Sequence, residues 1–396
     1  MNNDPSPWKA TQLSRVLKFQ PGFPFSSQYF TDKPIGPRLV RNRDLRAEDA
    51  IIYYAGPVPS DFVLAEGDVL IGMDGDFEPK VWVQPGALLN QRVGRLRLTA
   101  SIDGAFLAHA LVEPLKVLQG ETGATTVKHL SHSDVEKLEL LLPPIAEQRA
   151  IARTLDDADG LIESFMRIIS KKRDIKQGMM QELLTGRTRL QGFTGEWTFK
   201  KIGDFAEVKA GGTPSTAIPR YWGGDIRWMS SGEIHRKRVQ EVEGRISFDG
   251  LRESAAQLLP IGTVLMALAG QGKTRGTVAV SRVELSTNQS IAGILPSTKH
   301  VPDFLYYNLD TRYDELRGES AGDGGRGGLN LAIIKRLTVF MPPLNEQVAI
   351  AQVLGDADDE IDALERGLES ARAIKTGMMQ ELLSGRTRLP VEEVVA

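Results

Sequence analysis

The 396-residue chain contains no cysteine. That excludes disulfides and thiolate metal sites and leaves nothing that points to secretion. Long apolar runs are missing too, and the segment 1–7 lacks the basic and apolar regions of a signal peptide, so the expected location is the cytoplasm, with no membrane partner. Charge of one sign is also scarce: 48 Lys and Arg stand against 51 Asp and Glu, a formal net charge of -3. Any contact with DNA must then come from local basic patches or from basic partners.

Several enzyme signatures are approached without being completed. The stretch Ala267-Leu268-Ala269-Gly270-Gln271-Gly272-Lys273-Thr274 nearly spells a phosphate-binding loop, but its first glycine is alanine. Such a loop also needs a helix after it, whose first amides hold the phosphate, whereas 275–280 reads as a strand. A strand-loop-strand hairpin presenting Lys273 and Arg275 is expected instead, which suits contact with DNA phosphate. Asp74, Asp76, Glu78 and Lys80 resemble a nuclease carboxylate-lysine set, yet Pro79 between Glu78 and Lys80 spoils a central strand, so a solvated acidic turn is expected. Adenine methyltransferases need Asn or Asp before a Pro-Pro pair and an aromatic after it; here the sequences are Leu142-Pro143-Pro144-Ile145 and Met341-Pro342-Pro343-Leu344. His129 and His132 have no evident third ligand, and surface or capping roles are expected. No catalytic or metal site is expected in this chain.

What is present is a repeat. The segment 143–190 returns without a gap as 342–389, a shift of 199 residues, with about 28 of 48 positions identical. Each copy opens on Pro-Pro and Glu-Gln (Glu147-Gln148, Glu346-Gln347) and then runs about 38 residues without proline, a residue that fits a helix start but not its interior. Ile151, Leu155, Ala158, Ile162, Phe165, Ile169, Lys172, Lys176, Met179 and Leu183 step by alternating fours and threes. Ile350, Leu354, Ala357, Ile361, Leu364, Leu368, Ala371, Lys375, Met378 and Leu382 repeat the pattern. This is the spacing of a coiled-coil seam. A helix roughly 55 Å long with such a stripe needs a partner helix. The other copy is the nearest candidate, packed antiparallel about a pseudo-twofold axis. Lys172, Lys176 and Lys375 interrupt the seam, either fixing its register or reaching solvent where the pair opens.

The helices divide the chain into 1–142, 143–190, 191–341 and 342–396. The first and third segments are mixed, with short β-branched runs between Gly and Pro, and each is the size of one domain. They barely resemble each other, yet their punctuation recurs in order. Trp8 and Trp197 open them; Gly67-Asp68-Val69-Leu70-Ile71 and Gly262-Thr263-Val264-Leu265-Met266 lie midway; Asn90-Gln91 and Asn288-Gln289 follow; Leu130 and Leu329 each lie 13 residues before Pro-Pro. One fold used twice with different surfaces is expected, as when each domain reads something different.

Taken with Gly211-Gly212-Thr213-Pro214-Ser215, Tyr221-Trp222-Gly223-Gly224-Asp225-Ile226, Gly22-Phe23-Pro24-Phe25 and Gly328-Leu329-Asn330, these motifs make the chain resemble the DNA-specificity subunit of type I restriction-modification systems. The resemblance covers essentially the whole chain. It implies an α+β fold of two mixed α/β target-recognition domains, each followed by a long helix, with the two helices packed as an antiparallel coiled coil. It implies a non-catalytic reader of a bipartite asymmetric site in double-stranded DNA, with the helices setting the spacing. It also implies two modification subunits, which bind S-adenosylmethionine and methylate adenine, and motor-nuclease subunits for restriction; no cofactor is expected in this chain. A protein-binding adaptor and the detached recognition part of a fused restriction-methylation system are the alternatives.

Candidate DNA contacts follow from charge and hydrogen-bonding capacity. Arg38, Arg41, Arg43 and Arg46 fall within nine residues of the first domain. In the second, Arg236, Lys237 and Arg238 follow the Tyr221-Trp222 turn, and Arg326 sits among glycines. Arg and Lys can read guanine edges, Asn and Gln adenine edges, and others only hold phosphate. The Asn90-Gln91 and Asn288-Gln289 pairs recur in domains of different specificity, which argues for a structural role first and base reading second.

Overall fold

The computed structural model describes residues 8–47, 50–121, 129–270, 274–319 and 329–390. The chain forms two compact units, Met1–Met166 with Arg366–Ala396, and Arg167–Glu365. Each holds one globular domain, the start of the helix that follows it and the end of the other long helix.

The long helices are Ile145–Leu183 and Leu344–Leu382, 39 residues each. Both begin after Pro-Pro and carry a glutamate in the first turn, where it faces the positive end of the helix dipole. Both stop before a glycine of positive φ, Gly186 at 70° and Gly385 at 73°. They run antiparallel: Lys172 pairs with Glu360 and Lys176 with Asp358 in one unit, while Lys375 pairs with Asp159 in the other. The seam lysines thus find carboxylates across the pair, and at equivalent places, since 375 and 358 are 176 and 159 shifted by the repeat. A polar pair inside a seam costs stability but admits one register.

The ends of the stripe serve the domain cores rather than a two-helix seam. Ile151, Leu155 and Leu382 lie in the core of the first domain with Leu13, Phe106 and Leu111. Leu183, Ile350 and Leu354 lie in the core of the second with Phe304 and Tyr307. Ile361 is buried, and Ile162, Phe165, Leu364, Met179 and Met378 are partly so. Each core therefore extends past the prolines into both helices.

The repeated Glu-Gln pair makes that junction. Glu147, Gln148, Glu346 and Gln347 are at most 2% exposed. The Glu346 carboxylate accepts Arg189 Nε–H at 2.9 Å and Trp197 Nε1–H at 3.2 Å. Glu147 accepts Arg388 Nε–H at 2.6 Å and Trp8 Nε1–H at 3.2 Å. The arginine that ends one copy of the repeat thus closes on the glutamate that opens the other. Gln347 accepts the Val301 amide at 2.9 Å and donates to the Pro342 carbonyl at 2.9 Å; Gln148 does the same with Asp103 and Pro143. These side chains dock a domain on a helix.

The two domains share a topology. In the first, strands Leu17–Pro21, Val93–Leu98, Val69–Gly72 and Pro79–Val81 form an antiparallel sheet in that order. In the second, Val208–Ala210, Ile291–Ile294, Val264–Ala267 and Val278–Ser281 do the same, and Arg238–Val239 adds a fifth, parallel strand. Pro79 sits on an edge strand, where its missing donor is tolerated. Val264–Ala267 and Val278–Ser281 pair antiparallel, so no helix follows the near-match to a phosphate loop. Gly67 and Gly262 take φ of 85° and 83° just before equivalent strands, a conformation that only glycine adopts cheaply. Leu130 and Leu329 are buried, and Ser131 and Asn330 after them cap short helices by accepting the amides of Asp134 and Ile333. Among the described residues, no helix is long and apolar enough to cross a membrane.

Candidate nucleic-acid interface

In each domain the same four loops gather at one end of the main sheet. In the second domain, Gly212 N–H donates to the Thr287 carbonyl at 2.8 Å, and Thr213 Oγ1 donates to Gln289 Oε1. Asn288 Oδ1 accepts the Ser290 amide at 3.1 Å, and its Nδ2 reaches Ser231 Oγ at 3.4 Å. Leu268, entering the hairpin loop, donates to the Ser290 carbonyl at 2.8 Å and accepts the Leu329 amide at 3.1 Å. The glycine turn, the Asn-Gln turn, the hairpin loop that carries Arg275 and the return point of the segment before Leu329 thus converge.

The first domain repeats the wiring with other side chains. Phe23 N–H donates to Leu89 at 2.9 Å, Met73 N–H to Arg92 at 3.0 Å, and Leu130 N–H to Met73 at 2.8 Å. Asn90 Oδ1 accepts the Gln91 amide at 2.8 Å. Asn42, at the start of the 3-10 turn that carries Arg43, donates to the Asp74 carbonyl. In both pairs the asparagine Oδ1 is thus spent on its own turn, while the glutamine lies exposed beside it.

The acidic hairpin loop of the first domain is tied to basic residues. Asp74 meets Arg92 at 3.2 Å and His129 Nδ1 at 2.8 Å. Arg46 bridges to Asp76, and to Glu78 at 2.9 Å. The hydrogen bond that Arg46 donates to Asp76 leads the causes that raise the Arg46 pKa above its ordinary value. Among the described residues, no group of three His, Asp or Glu side chains is set to hold a metal.

The remaining sequence candidates are dispersed. Arg38 is buried, stacked 5.1 Å over Trp82 and bonded to Gln84 at 2.9 Å. Arg41 closes on Asp44 at 3.0 Å and shapes the turn. Tyr221 is buried with its hydroxyl donated to Glu253 at 2.8 Å, and Trp222 lies edge-on to Trp228 at 5.0 Å. Hydrogen bonds from Arg252, then Tyr221, hold the Glu253 carboxyl down at about 2. Arg236 reaches Glu243 at 3.2 Å, and Lys237 is exposed in a strained conformation, φ 58° and ψ -68°. Arg238 turns to the second long helix, 3.2 Å from Asp358. Lys273 and Arg326 lie outside the described residues. Arg92, Asn42, Thr213 and Ser231 were not anticipated; for Arg92 and Thr213 the signal was adjacency to the Asn-Gln and Gly-Gly motifs.

Residues 5–171 and 194–371 each match the family described as "Type I restriction modification DNA specificity domain". The chain belongs to that family. Among curated relatives, the type I restriction enzyme EcoBI specificity subunit of Escherichia coli is 25% identical over 410 residues, covering 95% of this chain and 85% of the relative. The MjaIX specificity subunit of Methanocaldococcus jannaschii is 32% identical over 171 residues, 42% of this chain and 39% of that one. The crystal structure of a type I restriction-modification S subunit from M. genitalium superposes with a TM-score of 0.68 at 14% identity over 97% of both chains, a likeness of fold. As a type I specificity subunit, the chain is a non-catalytic DNA-recognition component that assembles with other subunits, and its two family repeats fit a bipartite target.

The glycine turns of this specificity subunit leave no room for a side chain. A Cβ on Gly22 would lie 2.0 Å from the Asn90 carbonyl oxygen, and one on Gly211 would lie 2.2 Å from that of Asn288. Gly211→Ala is expected to cost about 1–3 kcal/mol through forced backbone shifts and to displace Gln289. Denaturant unfolding checks the first effect; loss of recognition confined to one half-site checks the second.

Proposed function

We propose that the two loop clusters are the base-reading surfaces of this specificity subunit, one for each half of a split, asymmetric duplex site. The observation that carries this is their duplication: the same four loops meet through the same backbone hydrogen bonds in both domains, while their side chains differ. In the first cluster Gln91, Arg92, Arg43 and Arg46 face the groove; in the second, Gln289 and Arg275 do, while Lys273 and Arg326, outside the described residues, are candidate contacts from the sequence alone. The segments 1–142 and 191–341 act as the readers. The long helices, each about 58 Å at 1.5 Å per residue, set the spacing between the two half-sites. Two modification subunits, holding S-adenosylmethionine, dock on this chain and methylate an adenine in each half-site, and motor-nuclease subunits complete the restricting complex in the cytoplasm. With a net charge of -3, the chain leaves much of the phosphate neutralisation to those partners.

Co-expression with the cognate modification subunit in a methylation-free host, followed by sequencing for methylated adenine, tests the reading. One bipartite motif is expected, and exchanging 191–341 for the corresponding segment of another specificity subunit should change one half only. A motif that changes in both halves, or in neither, would refute it. Within a half-site, Gln289→Ala should relax one base position by about 1–3 kcal/mol, whereas Arg92→Ala should weaken all sequences alike and flatten the salt dependence by about one charge. Binding titrations on single-base variants at two salt concentrations separate the two.

A further inference from the structure

The second domain holds the helix pair through an inner, largely apolar base and an outer polar cluster centred on one arginine. The inner base is the buried Glu346-Gln347 junction with Met180, Leu183, Ile350 and Leu354 in the core of the domain. The outer cluster comes from the fifth strand, Arg238–Val239, which has no counterpart in the four-stranded sheet of the first domain. The Arg238 guanidinium donates to Tyr307 Oη and lies 3.2 Å from Asp358 and 3.6 Å from Asp359. Tyr307 Oη in turn donates to Asp358 at 2.7 Å. Asp358 is the same carboxylate that pairs with Lys176 of the other long helix. One cluster therefore joins a strand of the domain, a helix of the domain and both long helices. Asp358 lies twelve residues beyond Glu346, about 18 Å further along the axis, which is a lever arm.

Among the described residues, no side chain of the second long helix beyond Leu354 belongs to the apolar core of the domain, so the outer hold is polar. Clefts of about 620 Å³ and 430 Å³ flank Arg238 on either side, both walled by Arg238, Gln240 and Asp359. The residue next to it, Lys237, is the one non-glycine with positive φ among the described residues, at 58°. Backbone strain of this kind persists where surrounding contacts over-determine the conformation.

We propose that Arg238 is a positioning residue for DNA spacing: it fixes the tilt of the second domain on the helix pair and so limits the half-site separation that the subunit accepts. This rests on the two-reader function above. With the outer polar cluster gone, the domain can tilt about the inner base that ends at Leu354, and a displacement of about 3.4 Å at its reading end equals one base pair. Recognition of each half would stay intact, because Arg238 belongs to neither loop cluster.

The test uses the complex with the cognate modification subunit and duplexes that carry both half-sites at the native spacing n, n-1 and n+1. Three variants are compared with wild type: Arg238→Gln, the milder Tyr307→Phe, which removes one hydroxyl from the cluster, and Arg238→Lys. Wild type is expected to methylate one spacing strongly. Arg238→Gln should raise methylation at n-1 or n+1 relative to n by about tenfold with both half-site sequences unchanged; Tyr307→Phe should move the ratio the same way by less, and Arg238→Lys should recover part of the discrimination. An unchanged ratio in Arg238→Gln overturns the proposal. So does an altered base preference in one half, which would make Arg238 a base contact. If Arg238→Gln proves too unstable to assay, Tyr307→Phe decides in the same two ways. Failure of wild type to methylate any split motif would instead defeat the two-reader function, and so remains distinguishable.

Discussion

Glu346→Ala should lower the unfolding midpoint of the unit 167–365 by roughly 6–12 °C. The carboxylate is fully enclosed and accepts from both Arg189 and Trp197. Its removal leaves an indole N–H and a guanidinium without their acceptor, and losing one partner of a buried ion pair costs about 3–5 kcal/mol. The Arg189 side chain is 28% exposed and can take water, which favours the lower end of that range. At about 2–4 °C per kcal/mol for a unit of this size, about 3 kcal/mol gives the stated shift. Glu346→Gln keeps an acceptor and the shape of the side chain, and should cost less than half as much. Glu147→Ala should act in the same way on the other unit, through Arg388 and Trp8. Calorimetry of the three variants checks this; a shift below about 2 °C in Glu346→Ala would show that the junction is dispensable.

Acid should weaken the second domain through His300. This imidazole is 3% exposed, 5.1 Å from the Phe205 ring, and its pKa is pushed down to about 4 by burial. Ser297 Oγ donates its proton to the Phe205 carbonyl at 2.6 Å, so the contact between His300 Nδ1 and Oγ at 2.9 Å has the imidazole as donor. That leaves Nε2 as a bare acceptor with no partner. Between the ordinary value near 6.5 and about 4, the unfolded chain binds a proton that the folded domain refuses. Stability is therefore full above pH 6.5 and falls as the pH drops through that window. At 1.36 kcal/mol per pH unit the loss approaches about 3 kcal/mol. Urea unfolding at pH 7.0, 5.5 and 4.5 should show the decline in wild type and a flatter profile in His300→Leu. Parallel profiles would assign the acid sensitivity to other groups.

Much of the scaffold was legible in the sequence because it is written twice. The prolines, the terminal glycines and the seam period located both long helices, and the recurring Asn-Gln pairs marked turns that the structure joins to Gly22 and Gly211. Those features are local, and local patterns carry their own physical meaning. The fate of individual arginines was not legible. Arg38 and Arg43 share one basic run, yet Arg38 packs on Trp82 inside the domain while Arg43 is exposed. Arg238 looked like its neighbour Arg236 until a strand placed it against Asp358. The Glu-Gln motif was visible as a repeat, but its partners Trp197 and Trp8 lie 149 and 139 residues away, and no periodicity reports a contact of that separation.

The reciprocal closure of Arg189 on Glu346 and of Arg388 on Glu147 also bears on how such a chain can arise. A polypeptide with one domain and one copy of the repeat would own the glutamate and the arginine but have no way to bring them together, since each unit draws them from different copies. Two identical chains could satisfy both glutamates at once by trading their ends. Joining those chains head to tail turns that trade into an intramolecular event at a high effective concentration. The two domains are then free to diverge, because the latch that each needs is supplied by the half that does not have to match it.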